Sequence, residues 1–265
     1  MEKLLLNETD VVNQYNRLKN IHKVAKYFNV SISPITRILK SNGFDLTNRR
    51  YDVNHNYFDV IDTEEKAYWL GFLFADGYIR ERKSGNSLEI KLSIKDRHHL
   101  EKFRNSIGSN HNIVDGFNRV KYKDGVSSSH MSTLAIYSKQ LVESIKNQGI
   151  HSRKTFTIEK PNIGNDLIHH FIRGYFDGDG TVRFVEKKLN GTGIACASEK
   201  FREFIINELF DNGITIKHYG DIHLHIQNKV ENNKFYNYIY NNATIYLERK
   251  KEIYERFREY YKYNN

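Results

Sequence analysis

The chain has 265 residues, with 41 Lys and Arg against 32 Asp and Glu and a formal net charge of +9, enough length for a sizeable core and one or two domains and a charge balance that points to a polyanion. No long apolar run is present and the basic residues are not gathered on one amphipathic helix, which excludes a spanning helix and disfavours a membrane surface. Cys196 is the only cysteine, so there is no disulfide framework and no Cys-based zinc site; with no signal peptide visible at Met1-Glu2-Lys3-Leu4, a reducing intracellular compartment is expected, the cytoplasm of a bacterial or phage-infected cell or an organelle.

Residues 8–44 read as three short helices, and Ile21 to Leu39 fits a helix-turn-helix. Val24, Ala25 and Phe28 make an apolar face. Asn29 suits a left-handed turn residue, and Val30 follows as a core residue. Ser31 is placed to cap the next helix, Pro34 falls in its first turn, Ile35, Ile38 and Leu39 face inward, and Gly43 closes it. Ser33, Thr36, Arg37 and Lys40 then point outward with chemistry suited to the major groove and its phosphates. A helical bundle for protein contacts is the plainer reading; the charge balance favours DNA. The module is set at 1–46 and a basic linker at 47–61. Arg49 and Arg50 in that linker either lie along phosphates or enter a minor groove, as basic arms do, or are simply solvated.

The first half, 62–160, opens on Asp62 and Glu65, spaced as a capping box, with Thr63 as the rival cap. Leu88, Ile90, Leu92 and Ile94 alternate with Glu89, Lys91, Ser93 and Lys95, which predicts a half-buried strand with a polar outer face. Asp96 is placed to cap a helix to about Ile107. Lys121 to Val126 reads as a hairpin turn, His130 to Tyr137 as a strand, and Lys139 to Gln148 as a helix stopped by Gly149. The second half, 161–265, repeats the order. Thr181 to Glu186 and Gly193 to Ser198 read as strands and Glu199 to Asn212 as a helix ended by Gly213. Ile222, Leu224 and Ile226 alternate with His223, His225 and Gln227, and helices follow at Lys234 to Asn241 and 244–262. Each half thus reads helix, strand pair, helix, strand pair, helix: an α+β fold of two pseudo-symmetric halves, each an antiparallel sheet covered on one face by helices. His223 and His225 point the same way on a strand. With only Asp221 near in sequence as a third ligand, a groove-facing pair is preferred to zinc.

Two stretches are copies of each other: Trp69-Leu70-Gly71-Phe72-Leu73-Phe74-Ala75-Asp76-Gly77 and Ile172-Arg173-Gly174-Tyr175-Phe176-Asp177-Gly178-Asp179-Gly180, 103 positions apart. Gly71/Ala75 and Gly174/Gly178 are small residues four apart, a pattern that lets two helix backbones touch. Asp-Gly ends each copy, the glycine suiting a helix C-terminal cap. If the helices pack together, Asp76 and Asp179 meet at the bottom of one seam, and a hard divalent cation relieves their repulsion. Arg153-Lys154 and Arg249-Lys250 follow the two motifs at similar distances.

At these residues the chain resembles the LAGLIDADG homing endonucleases in their two-motif, single-chain form, over roughly residues 60–265. The match is Gly71, Ala75, Asp76 and Gly77 in one copy and Gly174, Asp177, Gly178, Asp179 and Gly180 in the other. Phe74 is a departure where the second copy has Asp177. The resemblance implies a DNA-binding saddle around the packed motif helices. It implies magnesium, two or three ions, held by Asp76, Asp179 and the carbonyls of Ala75 and Gly178, with calcium binding but not supporting cleavage. It places Lys154 and Lys250 beside the attacked phosphates. It further implies an intron-homing type of activity: cutting of both strands of a long double-stranded DNA target with short 3′ overhangs, while the unlike halves imply an asymmetric target and a monomer. Target contacts are expected from Arg80, Arg82, Lys91, Lys95, Arg183, His223, His225 and Gln227. The alternative is a catalytically silent DNA- or RNA-binding protein on the same fold, a transcription regulator or intron maturase; a nickase is a further variant.

Overall fold

Val24 and Ala25 on one short helix and Ile35, Ile38 and Leu39 on the next lie at helical spacing, and all five are buried. They form the core of the first of two units in this computed structural model, Met1–Arg50 and Tyr51–Asn265. The structure describes residues 6–18, 20–44, 46, 51–82, 85–122, 125–185 and 188–263. The first unit holds α1 (Glu8–Leu18), α2 (Ile21–Tyr27) and α3 (Ile32–Ser41). Asn20 caps α2 by accepting from the Lys23 N–H at 3.1 Å. Asn29, at φ 53°, turns the chain between α2 and α3. Val11 of α1 joins the core, and Phe28 and Val30 pack against it. Ser31 stands at the α3 N-cap without a side-chain hydrogen bond.

The second unit runs α4 (Glu64–Asp76), β1 (Gly77–Arg80), β2 (Ser87–Ser93), α5 (Arg97–Ser106), β3 (Ile113–Tyr122), β4 (Gly125–Ile136) and α6 (Lys139–Asn147). It continues with α7 (Ile168–Asp179), β5 (Gly180–Val185), β6 (Lys188–Ala195), α8 (Glu199–Asp211), β7 (Lys217–Tyr219), β8 (His223–Ile226), α9 (Lys229–Tyr240) and α10 (Glu248–Tyr260). The strands form two four-stranded antiparallel sheets, ordered β1-β2-β4-β3 and β5-β6-β8-β7. This is the α+β architecture of two like halves that the sequence pattern calls for. Leu88, Ile90 and Leu92 of β2, Leu134 and Ile136 of β4, and Ile194, Leu224 and Ile226 of the second sheet are buried in one continuous core with the helices. The other face of each sheet is open. Among the described residues, no helix is long and apolar enough to cross a membrane.

Several local expectations are corrected. β2 stops at Ser93, because Ser93 accepts from the Lys95 N–H and starts a 3₁₀ turn, Ile94–Asp96; Lys95 therefore lies off the strand. Thr63, not an Asp62–Glu65 box, caps α4, and Asp62 pairs instead with Lys66 at 2.7 Å. Asp96 makes no capping bond and is turned to Arg249. α9 begins at Lys229 because Asn228 caps it. The last helix begins only at Glu248, since the preceding Leu247 N–H is used by Asp177. β4 starts earlier than His130, at Gly125. Within the stretch read as a linker, Tyr57 and Phe58 are buried in the main core and the Asn54 N–H bonds the Ile107 carbonyl at 2.8 Å.

Candidate functional site

The site grows from the contact of α4 with α7. Buried residues run almost continuously along both helices, so neither has a solvent face for most of its length. Glycine sets how closely they approach. A Cβ on Gly71 would fall 1.9 Å from the Phe171 carbonyl oxygen, and one on Gly174 would fall 1.9 Å from that of Tyr68. Nearer the C-terminal ends, a Cβ on Gly178 would meet the Ala75 Cβ at 2.3 Å and the Asp76 Oδ2 at 3.2 Å. Backbone thus rests on backbone, and the last turns of both helices end side by side.

The glycines after the aspartates are the C-caps of the two helices, their N–H groups donating to the carbonyls of Leu73 and Phe176, but not in the left-handed conformation. Gly77 has φ −72° and Gly180 φ −86°, both extended, and each opens a strand. They are glycine because a side chain would strike the helix just left: a Cβ would sit 2.6 Å from the Leu73 carbonyl oxygen at Gly77 and 2.4 Å from that of Phe176 at Gly180.

Asp76 and Asp179 are half-buried at these paired ends. Burial and the neighbouring Asp179 push Asp76 up to about 6, with Lys250 and Lys154 pulling the other way. Burial also raises Asp179, against the pull of the same two lysines. Each lysine closes one helix. Lys154 Nζ donates to the carbonyls of Phe74 at 2.6 Å and Ala75 at 2.7 Å. Lys250 Nζ donates to Phe176 and Asp177, both at 2.7 Å, and to Gly178 at 3.2 Å. These are the carbonyls a helix leaves without partners, at the negative end of its dipole. Burial lowers both ammonium groups, Lys250 to about 8, opposed by the surrounding carboxylates. Lys154 comes from a 3₁₀ turn, Lys154–Phe156, entered through Arg153 at φ 61°; Lys250 comes from the first turn of α10.

The donor set is two carboxylates with the carbonyls of Ala75 and Gly178 beside them, all hard oxygens, which fits magnesium or calcium. Each carbonyl already accepts from a lysine, leaving one lone pair. Among the described residues no group of three or more His, Cys, Asp or Glu is arranged to hold a metal, so the His223–His225 pair lacks the further side-chain ligands a zinc site needs.

Asp177 does not face this pair of carboxylates. It is buried and accepts from Tyr68 at 2.8 Å, Tyr240 at 2.8 Å and the Leu247 N–H at 2.7 Å. Its counterpart Phe74 packs on Phe171 and Phe201, with ring centroids 4.9 and 5.7 Å away. Two further buried groups escaped the sequence reading. Arg173, fully buried, donates to the carbonyls of Ile245 and Ile239 and to Glu64 at 2.6 Å. The single Nε–H of Arg249 is shared between the two Asp96 carboxylate oxygens, at 2.8 and 2.9 Å. An arginine inside an apolar helix run was the available signal for the first; nothing local in sequence marks the second.

The other candidate residues are dispersed on the open sheet faces and on α3. Arg80 donates to Glu89 at 2.6 Å and Arg82 lies 4.0 Å from the same carboxylate, so their charge is partly spent within the protein. Lys91 is exposed opposite Thr133. Arg183 is exposed at the irregularity between Val182 and Phe184. His223 and His225 lie opposite Ala195 and Gly193, so nothing longer than a methyl group stands beside them on β6. Their rings are 6.2 Å apart, with Tyr219 5.4 Å from His225, and Gln227 is exposed just beyond β8. On α3, Ser33, Arg37 and Lys40 are exposed, and half-buried Thr36 donates back to the Ile32 carbonyl. Arg49 and Arg50 lie outside the described residues.

The chain is similar to LAGLIDADG homing endonucleases. The homing endonuclease I-WcaI bound to its DNA recognition sequence matches at 15% identity over 79% of this chain and 95% of its own, with a TM-score of 0.49. The N-terminal LAGLIDADG domain of DUF199/WhiA matches at 16% over 75% and 93%, TM-score 0.45. The I-LtrWI LAGLIDADG homing endonuclease bound to target DNA matches at 14% over 79% and 91%, TM-score 0.43. No family model and no curated protein sequence matches the chain.

Proposed function

We propose that the chain is a magnesium-dependent endonuclease that hydrolyses both strands of a long, asymmetric DNA duplex as a monomer, leaving short 3′ overhangs. The observation that carries this reading is the duplicated carboxylate–lysine arrangement at the ends of two helices in backbone contact. One such arrangement is an ordinary helix end. Two of them, brought together so that Asp179 raises the energy of the charge on Asp76, form a site whose repulsion a divalent cation relieves.

Asp76 and Asp179, with the carbonyls of Ala75 and Gly178, would hold the metal. Magnesium, when bound, supplies Lewis acidity at a phosphate oxygen and acidifies water. Lys154 and Lys250 keep the helix ends closed and set a positive charge beside each carboxylate, where charge accumulates on an attacked phosphate. The open faces of the two sheets supply the contacts to bases and phosphates through Lys91, Arg183, His223, His225 and Gln227. Ser33, Arg37 and Lys40 on α3 lie in a major groove as the second helix of a helix-turn-helix. That additional unit also favours a second reading, a regulator that binds DNA without cutting it.

The deciding experiment pairs binding with cutting for Asp76→Asn and Asp179→Asn. Both variants are expected to bind a selected duplex without metal as well as the parent or better, and to lose double-strand cleavage in magnesium. Robust cutting of both strands by both variants would sink the metal assignment. A parent protein that binds selectively but never cuts would establish the regulator.

A further inference from the structure

The internal repeat sets Phe72 of α4 against Tyr175 of α7. Each stands four residues before a seam carboxylate, Asp76 or Asp179, and positions four apart share one face of a helix. The two side chains differ by one hydroxyl. Phe72 is buried and packs on His99, with ring centroids 4.9 Å apart. Tyr175 is buried as well, its ring 4.8 Å from that of Phe201, and its hydroxyl donates to the Ala195 carbonyl at the end of β6, at 2.9 Å.

The same hydroxyl lies within hydrogen-bonding reach of the Asp179 carboxylate and beside the Cys196 thiol. It has one hydrogen and two oxygen acceptors competing for it, the Ala195 carbonyl and Asp179. An ionised carboxylate draws a hydrogen more strongly than a neutral carbonyl does. Asp76 stands in different surroundings. Lys250 and Lys154 act on it through charge alone, and its Oδ2 lies over Gly178 of the facing helix, where an added Cβ would come within 3.2 Å. The residue that could have supplied a hydroxyl to it is Phe72, which has none.

We propose that Tyr175 is a positioning residue for the metal site, its hydroxyl holding one oxygen of Asp179 so that the other faces the seam and a divalent cation. Tyr175 has this role only under the metal-dependent reading above, to which it adds a buried residue that acts through Asp179. Carboxylates that ligate metals are themselves hydrogen-bonded, and loss of such an outer partner weakens metal binding. Asp76, without one, takes its orientation only when the cation arrives. The two ligands are therefore unequal, although the motif repeats them.

The test titrates the full chain with calcium, in the presence and absence of the selected duplex, recording heat and tyrosine difference absorbance together. In the parent, calcium is expected to shift the absorbance of a buried tyrosine. Tyr175→Phe is expected to lose that signal and to bind calcium about tenfold more weakly, with the parent's duplex affinity in metal-free buffer. Tyr68→Phe is the control. It removes a buried hydroxyl from the same helix pair, but one that serves Asp177, so its calcium affinity is expected to match the parent's even where its melting temperature falls. Parent-like calcium affinity in Tyr175→Phe, persistence of the absorbance signal in it, or an equal loss of affinity in both variants would overturn this inference while leaving the metal site standing. A parent that takes up neither calcium nor magnesium would overturn both.

Discussion

Tyr68 on α4 donates a 2.8 Å hydrogen bond to Asp177 on α7, while at the positions related by the internal repeat Phe171 packs on Phe74. The same crossing of two helices is thus made once with a hydroxyl and a carboxylate and once with two aromatic rings. Asp177 tolerates burial because two tyrosines and a backbone N–H satisfy it. Tyr68→Phe removes one of these donors and is expected to cost about 1–3 kcal/mol in urea unfolding. Asp177 lies off the paired carboxylates, so cleavage per folded molecule is expected to persist. Unchanged stability would mean that Asp177 needs no third partner.

Gly71→Ala and Gly174→Ala each drive a methyl group into a facing carbonyl. About 3 kcal/mol or more of destabilisation is expected from each, because the obstacle is backbone that cannot rotate away. Gly116→Ala is the control: a Cβ there meets nothing within 4 Å. Chemical denaturation of the three variants should separate the first two clearly from the third.

The paired carboxylates are expected to weaken the metal-free fold. Asp76→Asn removes one of two mutually repelling charges at a partly buried site and is expected to raise the melting temperature without metal. Magnesium should raise the melting temperature of the parent and have much less effect on the variant. A parent that gains nothing from magnesium would argue against a metal at the seam, independently of any cleavage assay.

Acid sensitivity should come in part from His99. It is buried, its Nε2 lies 2.9 Å from the Tyr68 hydroxyl, and burial, helped by Lys102, pulls it down to about 3 from 6.5. The unfolded chain therefore takes up this proton first. The stability that neutral His99 contributes is fully present above pH 6.5 and drains away as the pH falls toward 3. His111 and His170, each lowered to about 4 by burial, act in the same direction, while Asp76, raised to about 6, acts in the opposite one. His99→Gln cannot titrate, so its loss of stability between pH 6.5 and 4 should be shallower than the parent's. Equal slopes would remove His99 from the account.

The halves and their strand order were legible because Leu88, Ile90 and Leu92, and later Leu224 and Ile226, alternate with polar residues against a single buried face. The motif helices were legible from Gly71, Ala75, Gly174 and Gly178, since close backbone approach demands small residues at fixed spacing. The turn of the β3–β4 hairpin at Lys121 to Val126 was legible, but the length of its strands was not. Ser127, Ser128 and Ser129 are exposed on both faces, so no apolar alternation marks their strand. Gly77 and Gly180 stand at the helix C-caps, as the Asp-Gly ends suggest, but the reason for glycine there was not legible, because a sequence does not distinguish a glycine needed for φ from one needed for space. Arg249 resembled Arg153 as a basic neighbour of the site, yet it is committed to Asp96, a partner 153 positions away.

That Asp96–Arg249 pair has a consequence for engineering by recombination. Asp96 belongs to the first half, and Arg249 precedes Lys250 on the second half's last helix; Lys102 and His98 hold the adjoining Glu248 in the same way. The lysine that closes one motif helix is therefore moored by the opposite half. A chimera that joins residues 161–265 to a foreign first half inherits Lys250 but not its mooring, unless the new partner presents an acid where Asp96 stands. The two copies, alike enough to look exchangeable, have become a lock and its own key.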